Sequence, residues 1–210
     1  DRNLMERAIT EESINVVFHL AAQVEVGVAA SNPLLTFETN IRGTYTLLDA
    51  IRSFPEHIEA VIVASSDKAY GTYKPDMMPY KEDYPLVPEF PYDTSKACAD
   101  LIAKSYASSL YNLPIVITRF CNIYGPGQLN FSALIPDTIK SAQGFSEFIP
   151  RSDGSMIRDF IFSEDVADLY LRIGEELSIN QELRGEVFNA GTNHPISVRE
   201  VIEKIYKLIG

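Results

Sequence analysis

The chain has 210 residues, of which 46% are hydrophobic and 22% are charged, and its formal net charge at pH 7 is −11. This composition is typical of a globular chain with a sizeable core and excludes a disordered or fibrous one. The excess of acidic residues, with no run of Lys or Arg longer than two, argues against a nucleic-acid or anionic-membrane partner. No apolar stretch approaches the roughly 20 residues that a membrane-spanning helix needs.

The few cysteines and histidines do not predict a metal site. Cys98 and Cys121 form neither a disulfide framework nor a metal-ligand spacing, and His19, His57 and His194 are widely dispersed. We therefore read the cysteines as small apolar residues in a reducing compartment, which together with the missing signal-peptide pattern predicts a cytoplasmic protein.

Four short apolar runs predict strands, at residues 16–20, 60–64, 115–118 and 187–190. Segments with apolar residues three or four apart alternate with them and predict helices, at residues 34–51, 95–110, 163–177 and 197–209. Continuously hydrophobic strands that alternate with helices predict an α/β fold with a parallel sheet covered on both faces. A long loop is predicted at residues 71–91, and a smaller unit outside the sheet at residues 125–159.

Parallel sheets of this kind bind ligands at the carboxyl ends of their strands. The residues that follow the predicted strands are small and polar, and include Ser65-Ser66-Asp67-Lys68 after the second strand. A hydroxyl, an acid and an amine in succession offer a hydrogen-bond donor, a general acid and a general base. The same residue types are also common on any protein surface, so the segment alone does not decide between a site and an ordinary turn.

Tyr92 and Lys96 are four residues apart behind a helix-start signal at Pro91, so both side chains should lie on one helix face. A nearby ammonium stabilises a phenolate, and such a pair can take a proton from a sugar hydroxyl while a hydride leaves the same carbon. The spacing is expected about 0.4 times by chance in this composition. A second copy, Tyr70 and Lys74, sits between Gly71 and Pro75, off any plausible helix, and we treat it as a coincidence.

Six segments resemble motifs of the extended short-chain dehydrogenase/reductase family, in its nucleotide-sugar epimerase and dehydratase branch, and they occur in the family's order and spacing. They are His19-Leu20-Ala21-Ala22-Gln23, Asn40-Ile41-Arg42-Gly43-Thr44, Ser65-Ser66-Asp67-Lys68-Ala69-Tyr70-Gly71, Pro91-Tyr92-Asp93-Thr94-Ser95-Lys96, Arg119-Phe120-Cys121-Asn122-Ile123-Tyr124-Gly125-Pro126 and Arg158-Asp159-Phe160-Ile161-Phe162-Ser163-Glu164-Asp165-Val166. The resemblance covers essentially the whole chain. It implies a Rossmann-like doubly wound sheet with a smaller substrate domain.

The resemblance also implies roles for individual residues. Ser66, Tyr92 and Lys96 would form the triad that oxidises a hexose C4 hydroxyl with bound NAD. Tyr92 would be the base and Ser66 would orient the hydroxyl. Lys96 would hold the nicotinamide ribose and depress the pKa of Tyr92. The NAD would be contacted by Leu20, Ala21, Ala22, Gln23, Ser65, Tyr92 and Lys96. Asn122 and Arg158 would hold the nucleotide diphosphate sugar, and Asn40 would be mainly structural.

The residue type at position 67 distinguishes dehydratases from epimerases within this branch. Epimerases that resemble the chain usually lack an acid directly after the catalytic Ser or Thr, whereas a 4,6-dehydratase needs an acid for the C6 hydroxyl and a base for C5. Asp67 would be the acid and Lys68 the base. Lys at position 68 resembles the CDP-glucose 4,6-dehydratases and also the inverting UDP-N-acetylglucosamine dehydratases. The latter typically lack the tyrosine, so CDP-glucose is the predicted substrate. A 4-epimerase and a catalytically silent family member are the alternatives.

Members of the family begin with a strand, a Gly-rich turn and two further strands ahead of the equivalent of Asp1, and no G-x-x-G-x-x-G or G-x-G-x-x-G occurs here. We therefore expect a truncated NAD-binding domain at residues 1–126 and a partial nucleotide-sugar-binding domain at residues 127–210, with residues 163–191 returning to the Rossmann sheet. The expected assembly is a homodimer or a dimer-based tetramer.

Overall fold

The structure, a computed structural model, describes residues 1–150 and 152–209. It contains two compact units, which we call the first unit (Asp1–Phe120 and Asp168–Ala190) and the second unit (Cys121–Ala167 and Gly191–Gly210). The division after Phe120 lies six residues before the domain boundary predicted at residue 126. Within the described ranges, no helix combines the length and the apolar character that crossing a membrane requires.

The helices and strands follow one another in this order: α1 (Arg2–Glu11), β1 (Val16–His19), α2 (Val26–Ser31), α3 (Pro33–Phe37), a π-helical turn (Glu38–Arg42), α4 (Gly43–Arg52), β2 (Ala60–Ser66), a 3₁₀ turn (Asp67–Tyr70), α5 (Pro91–Ala107), β3 (Ile115–Phe120), β4 (Asn122–Tyr124), α6 (Leu134–Ala142), β5 (Ile157–Arg158), β6 (Phe160–Phe162), α7 (Ser163–Ile179), β7 (Val187–Ala190), β8 (Ile196–Ser197) and α8 (Val198–Ile209). Short 3₁₀ turns also occur at Pro55–His57, Pro75–Met77 and Gln181–Leu183.

The first unit is built on a parallel sheet with the strand order β1-β2-β3-β7. This confirms the predicted α/β fold with its parallel sheet, and the last predicted strand does pair with β3. Strands β2 and β3 each run two residues further than predicted, because the pairs Ser65↔Arg119 and Ser66↔Phe120 continue the ladder. Hydrophobic patterning does not detect this extension, since backbone pairing does not require apolar side chains.

Both faces of the sheet are covered, as its continuously buried strands require. On one face, Val61, Val63, Ile115 and Ile117 join a core with side chains of α4 and α5. On the other, residues of α7 meet the alternate strand positions, with the ring of Tyr170 5.2 Å from that of Phe120. The site-bearing helix α5 is thereby held against the middle of the sheet.

The helix predicted at residues 34–51 is interrupted. Glu38–Arg42 form a π-helical turn between α3 and α4, and Asn40, in the middle of that turn, is buried. Apolar spacing cannot distinguish a local i→i+5 turn from an α-helix, which is why the sequence predicted one continuous element. Helix α5 begins at Pro91, at the predicted helix-start signal and four residues before the apolar periodicity, with proline in the first turn where its missing N–H costs nothing.

A buried ion pair joins β3 to α5. The guanidinium of Arg119 contacts both carboxylate oxygens of Asp100, with Nε 2.8 Å from Oδ2 and Nη2 3.0 Å from Oδ1. The Arg119 and Asp100 side chains are only 2% and 0% exposed. Charges removed from water in this way are tolerated because each satisfies the other with two parallel hydrogen bonds.

The second unit has two small sheets, with β4 parallel to β6 and β5 antiparallel to β8, and its helices α6 and α8 pack together. The carboxylate of Asp159 accepts hydrogen bonds from the backbone N–H groups of Phe160 and Asn193 and from the hydroxyl of Thr192. Asp159 therefore ties the start of β6 to the segment after Gly191.

Replacing Arg119 by Met should leave the Asp100 carboxylate buried without its partner. We expect the free energy of unfolding to fall by about 3–5 kcal/mol, measured by urea denaturation. The control is Arg42→Met, which breaks an exposed i,i+4 pair with Glu38 and should cost far less. Equal losses in the two variants would contradict a special contribution from the buried pair.

Candidate active site

Ser66, Asp67 and Lys68 lie where β2 passes into the 3₁₀ turn. The hydroxyl of Ser66 accepts a hydrogen bond from the backbone N–H of Lys68 at 3.2 Å and donates one to Oδ1 of Asp67 at 3.1 Å. The first contact caps the turn, since a Ser side chain satisfies a backbone N–H left free there. The structure thus places the predicted hydroxyl, acid and amine on one short segment.

Tyr92, in the first turn of α5, is brought to this segment because α5 packs on the 3₁₀ turn. Burial raises the pKa of Tyr92 to about 12, the hydrogen bond with the Ser66 side chain opposes this rise, and the charges of Asp67 and Asp93 add to it. Ser66, Asp67 and Tyr92 therefore form one cluster in the first unit. At neutral pH the phenol carries its proton.

Lys96 follows one turn later on α5 and is 6% exposed. Its ammonium donates a hydrogen bond to the carbonyl oxygen of Ala64 at 2.7 Å, and burial lowers its pKa to about 8. The expectation that Lys96 depresses the pKa of Tyr92 stays a prediction. The shift of Tyr92 is dominated by burial, and the ammonium is directed to the end of β2.

Asn40 holds together three parts of the first unit. Its amide oxygen accepts from the backbone N–H of Gln23 at 2.7 Å, and its amide nitrogen donates to the backbone oxygen of Gln23 and to the hydroxyl of Ser95, each at 2.9 Å. Ser95 in turn donates to the carbonyl oxygen of Tyr92 at 2.7 Å. The structural role expected for Asn40 is thus that of a link between the segment after β1 and the helix that carries Tyr92.

Apart from Tyr92 and Lys96 on α5, the residues predicted to contact NAD lie at the carboxyl ends of β1 and β2. Leu20 and Ala21 are exposed directly after β1, whereas the Gln23 side chain is engaged by the hydroxyl of Thr36 and the backbone oxygen of Glu25. The hydroxyl of Ser65 is buried and has no hydrogen-bond partner within residues 1–150 and 152–209. A buried hydroxyl without a partner, one residue along β2 from the carbonyl oxygen to which the Lys96 ammonium donates, suits the hydroxyl groups of a ribose.

Asn122 and Arg158 belong to the second unit. The amide nitrogen of Asn122 donates to the backbone oxygen of Asp159 at 3.0 Å. The half-buried guanidinium of Arg158 contacts the backbone oxygen of Ile157 and the sulfur of Met156. Within the described ranges no carboxylate lies at ion-pair distance from Arg158, so its charge is available to an anion.

Two residues of the site were missed by the sequence analysis. Asp93, next to Tyr92, is 9% exposed, and burial raises its pKa against the opposing charge of Lys68. His19, at the end of β1, is affected by the charge of Lys96. Both residues lie in the quoted motif segments, but neither was assigned a role, because Asp in a first helical turn and His in a strand are ordinary. Elsewhere in the described part of the chain, no three His, Cys, Asp or Glu side chains are grouped so as to hold a metal ion.

The family model described as "NAD dependent epimerase/dehydratase family" matches residues 1–191. The chain therefore belongs to the NAD dependent epimerase/dehydratase family, as its ordered motifs predicted.

Similar proteins include a 4,6-dehydratase and a putative 4-epimerase. The chain is 34% identical to the low-salt glycan biosynthesis protein Agl12 of Haloferax volcanii, over 100% of this chain and 64% of that protein. It is 31% identical to a putative UDP-glucose 4-epimerase of Methanocaldococcus jannaschii, over 100% and 66% respectively. A crystal structure of dTDP-glucose 4,6-dehydratase from Bacillus anthracis, in complex with NAD, is 33% identical with a TM-score of 0.83, over 100% of this chain and 61% of that one. The chain thus spans less than two thirds of each of these relatives.

The His19 imidazole should stay neutral in mildly acidic solution. Its Nε2 lies 2.9 Å from the hydroxyl of Thr44, which donates its own proton to the backbone oxygen of Asn40. Nε2 must therefore carry the hydrogen. Burial first, and the charge of Lys96 second, lower the pKa of His19 to about 4.

Between about pH 6.5 and pH 4, His19 becomes protonated in the unfolded chain but stays neutral in the folded chain. The free energy of unfolding should therefore fall by about 3 kcal/mol as the pH falls through this range. Urea denaturation at both ends of this range should show the loss in the wild type and not in His19→Gln, which keeps a donor toward Thr44. NMR titration of the imidazole offers a direct check. A pKa above 6 for His19 would contradict the assignment.

Proposed function

We propose that the full-length protein is an NAD-dependent nucleotide-sugar 4,6-dehydratase, with CDP-glucose as its substrate. The observation that carries the proposal is the carboxylate of Asp67, hydrogen-bonded to Ser66 and close enough to Tyr92 to shift its pKa. Moving a hydride to and from C4 needs no such acid, whereas the removal of water from C5 and C6 does. Family membership and the dehydratase structure with NAD support the proposal.

NAD would be held at the carboxyl ends of β1 and β2, by the segment from Leu20 to Gln23, the unpartnered hydroxyl of Ser65, Tyr92 and the ammonium of Lys96. When bound, NAD accepts a hydride from C4 of the sugar and returns it to C6. Asn122 and Arg158 would hold the nucleotide diphosphate, as the resemblance of their motifs implies. An amide and a guanidinium without a carboxylate partner are chemically suited to phosphate oxygens.

In the first half of the reaction, Tyr92 takes the proton of the C4 hydroxyl, which Ser66 orients. The phenol is protonated in the resting structure, so it must first release its own proton. The Ser66 hydroxyl favours that release when its hydrogen turns from Asp67 to the phenolate oxygen, because a hydrogen bond donated there lowers the pKa of Tyr92.

In the second half, the C4 ketone acidifies the hydrogen at C5. For this step Lys68 must first release a proton and Asp67 must first take one up; Lys68 then takes the C5 hydrogen as a proton, and Asp67 gives its proton to the C6 hydroxyl, which departs as water while the C5–C6 double bond forms. Lys68 then returns a proton to C5 as C6 is reduced. One proton passes through solvent from Tyr92 to Asp67, which restores the starting state, and the sugar has lost one water.

The identity of the nucleotide rests on position 68, where Lys resembles the CDP-glucose enzymes. The similar proteins named above point instead to dTDP- and UDP-sugars. Incubation of the full-length protein with CDP-, UDP- and dTDP-glucose in parallel, with the 4-keto product read by its absorbance in alkali, decides among them. The expected order has CDP-glucose first. The predicted cytoplasmic location and the predicted dimer or dimer-based tetramer stay predictions.

A nucleotide-sugar 4-epimerase is the second candidate, supported by the 31% identity to the M. jannaschii protein. An epimerase would convert UDP-glucose to its C4 epimer and leave no keto sugar in alkali. The same incubations, followed by chromatography of the sugars, distinguish the two activities. A protein that yields neither product would favour the catalytically silent alternative.

Replacing Asp67 by Asn removes the acid that is proposed to protonate the departing C6 hydroxyl. We expect formation of the 4-keto-6-deoxy product to fall about 10²- to 10⁴-fold, the usual contribution of a positioned acid, while C4 oxidation continues and NADH absorbance builds up. The control is Asp76→Asn, which makes the same change at an exposed position of the following loop. Dehydration at the wild-type rate in Asp67→Asn would remove Asp67 from the mechanism.

A further inference from the structure

The 3₁₀ turn Asp67–Tyr70 carries both residues proposed for the elimination, and it is held at its two ends in different ways. Its first end continues β2, where Ser66 pairs with Phe120 of β3 and caps the turn through its hydroxyl. Its second end is Tyr70, whose side chain is completely buried. Asp67 and Lys68 lie between these two attachments.

The hydroxyl of Tyr70 is both a donor and an acceptor. It donates to Oδ1 of Asn189 on β7 at 2.8 Å and accepts from Nη1 of Arg119 on β3 at 2.7 Å. The Arg119 guanidinium also lies over the Tyr70 ring, 4.6 Å from its centre. Tyr70 is therefore attached to two neighbouring strands of the sheet.

The partners of Tyr70 are themselves held in place. Arg119 is locked by the two hydrogen bonds to Asp100 and also donates to the backbone oxygen of Glu82 at 3.1 Å. Asn189 donates its backbone N–H to the Glu82 carboxylate and its amide to the backbone oxygen of Tyr80, each at 2.9 Å. Buried and partly buried polar groups that share a hydrogen-bond network make a rigid support.

The C-terminal side of the turn leaves little room for adjustment. Gly71 has a φ of +76°, and a Cβ at this position would lie 2.1 Å from the backbone oxygen of Val87. The ring of Tyr80 stacks on that of Tyr70 with centres 4.6 Å apart, and its hydroxyl donates to the backbone oxygen of Gly71. The Tyr70 side chain, in addition, connects the turn to β3 and β7 through the hydrogen bonds of its hydroxyl.

We propose that Tyr70, through its hydrogen bonds to Arg119 and Asn189, is a positioning residue that holds Asp67 and Lys68 in place for the elimination of water. This inference rests on the proposed dehydratase function. Tyr70 should matter little for C4 oxidation, because Ser66 is held by the pairing of β2 with β3, and Tyr92 and Lys96 are held by α5. The Tyr70–Lys74 spacing, which looked like a second catalytic pair, thus has a different explanation: the tyrosine supports the turn, and Lys74 is exposed outside any helix.

The test is Tyr70→Phe in the full-length protein, which keeps the ring and removes only the hydroxyl. Tyr170→Phe is the matched control, since Tyr170 is also buried and its hydroxyl contacts Thr118 of β3, but it lies on α7 and does not touch the turn. In Tyr70→Phe we expect kcat for dehydration to fall about 10²-fold, the usual effect of misplacing reacting groups by about 1 Å. KM should stay near the wild-type value, and NADH should accumulate during a single turnover. Tyr170→Phe should show none of these changes.

A second readout does not depend on catalysis. Hydrogen–deuterium exchange of peptides that cover residues 66–71 should be about tenfold faster in Tyr70→Phe and unchanged in Tyr170→Phe, because the turn opens locally without its support. Exchange at the wild-type rate in Tyr70→Phe would overturn the proposal, as would equal slowing of oxidation and elimination. If the wild type forms no 4-keto product, the dehydratase function fails, and the exchange measurement still decides whether Tyr70 holds the turn.

Discussion

The buried pair of Arg119 and Asp100 is the constraint on which the rest of the first unit depends. Two charges out of water persist only when each is fully hydrogen-bonded, so the pair admits one arrangement of β3 against α5. Because Arg119 also donates to Tyr70, the same arrangement decides where the 3₁₀ turn lies. The contacts of the Arg119 guanidinium thus determine the positions of both the helix that carries Tyr92 and the turn that carries Asp67.

Asn40 makes a second polar link to α5. It joins the segment after β1 to Ser95 and so holds the predicted NAD-contacting segment against the helix that carries Tyr92. Asn40 can reach both partners because it sits in a π-helical turn, an arrangement that often occurs at functional sites. Both links are buried polar networks, which favour one unique geometry more than they favour stability.

The pKa shifts of the site share one cause. Burial raises the pKa of Tyr92 to about 12 and lowers those of Lys96 and His19 to about 8 and about 4. All three shifts favour the neutral form of each group, as a poorly solvated environment requires. The proposed chemistry therefore requires charged forms that burial disfavours, and the proximity of Ser66, Asp67 and Tyr92 is what allows proton transfer among them.

The sequence by itself determined the fold class and most of the proposed site residues. Alternation of apolar runs with helical periodicity is a local property, and the motifs around Ser66, Tyr92 and Lys96 are contiguous, so both can be read without a structure. Its predictions were weaker where an element depends on a distant partner, as at the ends of β2 and β3. The π-helical turn around Asn40 also escaped detection.

Only the tertiary structure decided what Tyr70, Arg119, Asn189 and Asn40 do. Their partners are tens of residues away in the chain, 49 between Tyr70 and Arg119 and 119 between Tyr70 and Asn189. No local pattern encodes such contacts. The pKa values of Tyr92 and Lys96 were likewise decided by folding, because they depend on burial, and burial is a property of the packed chain.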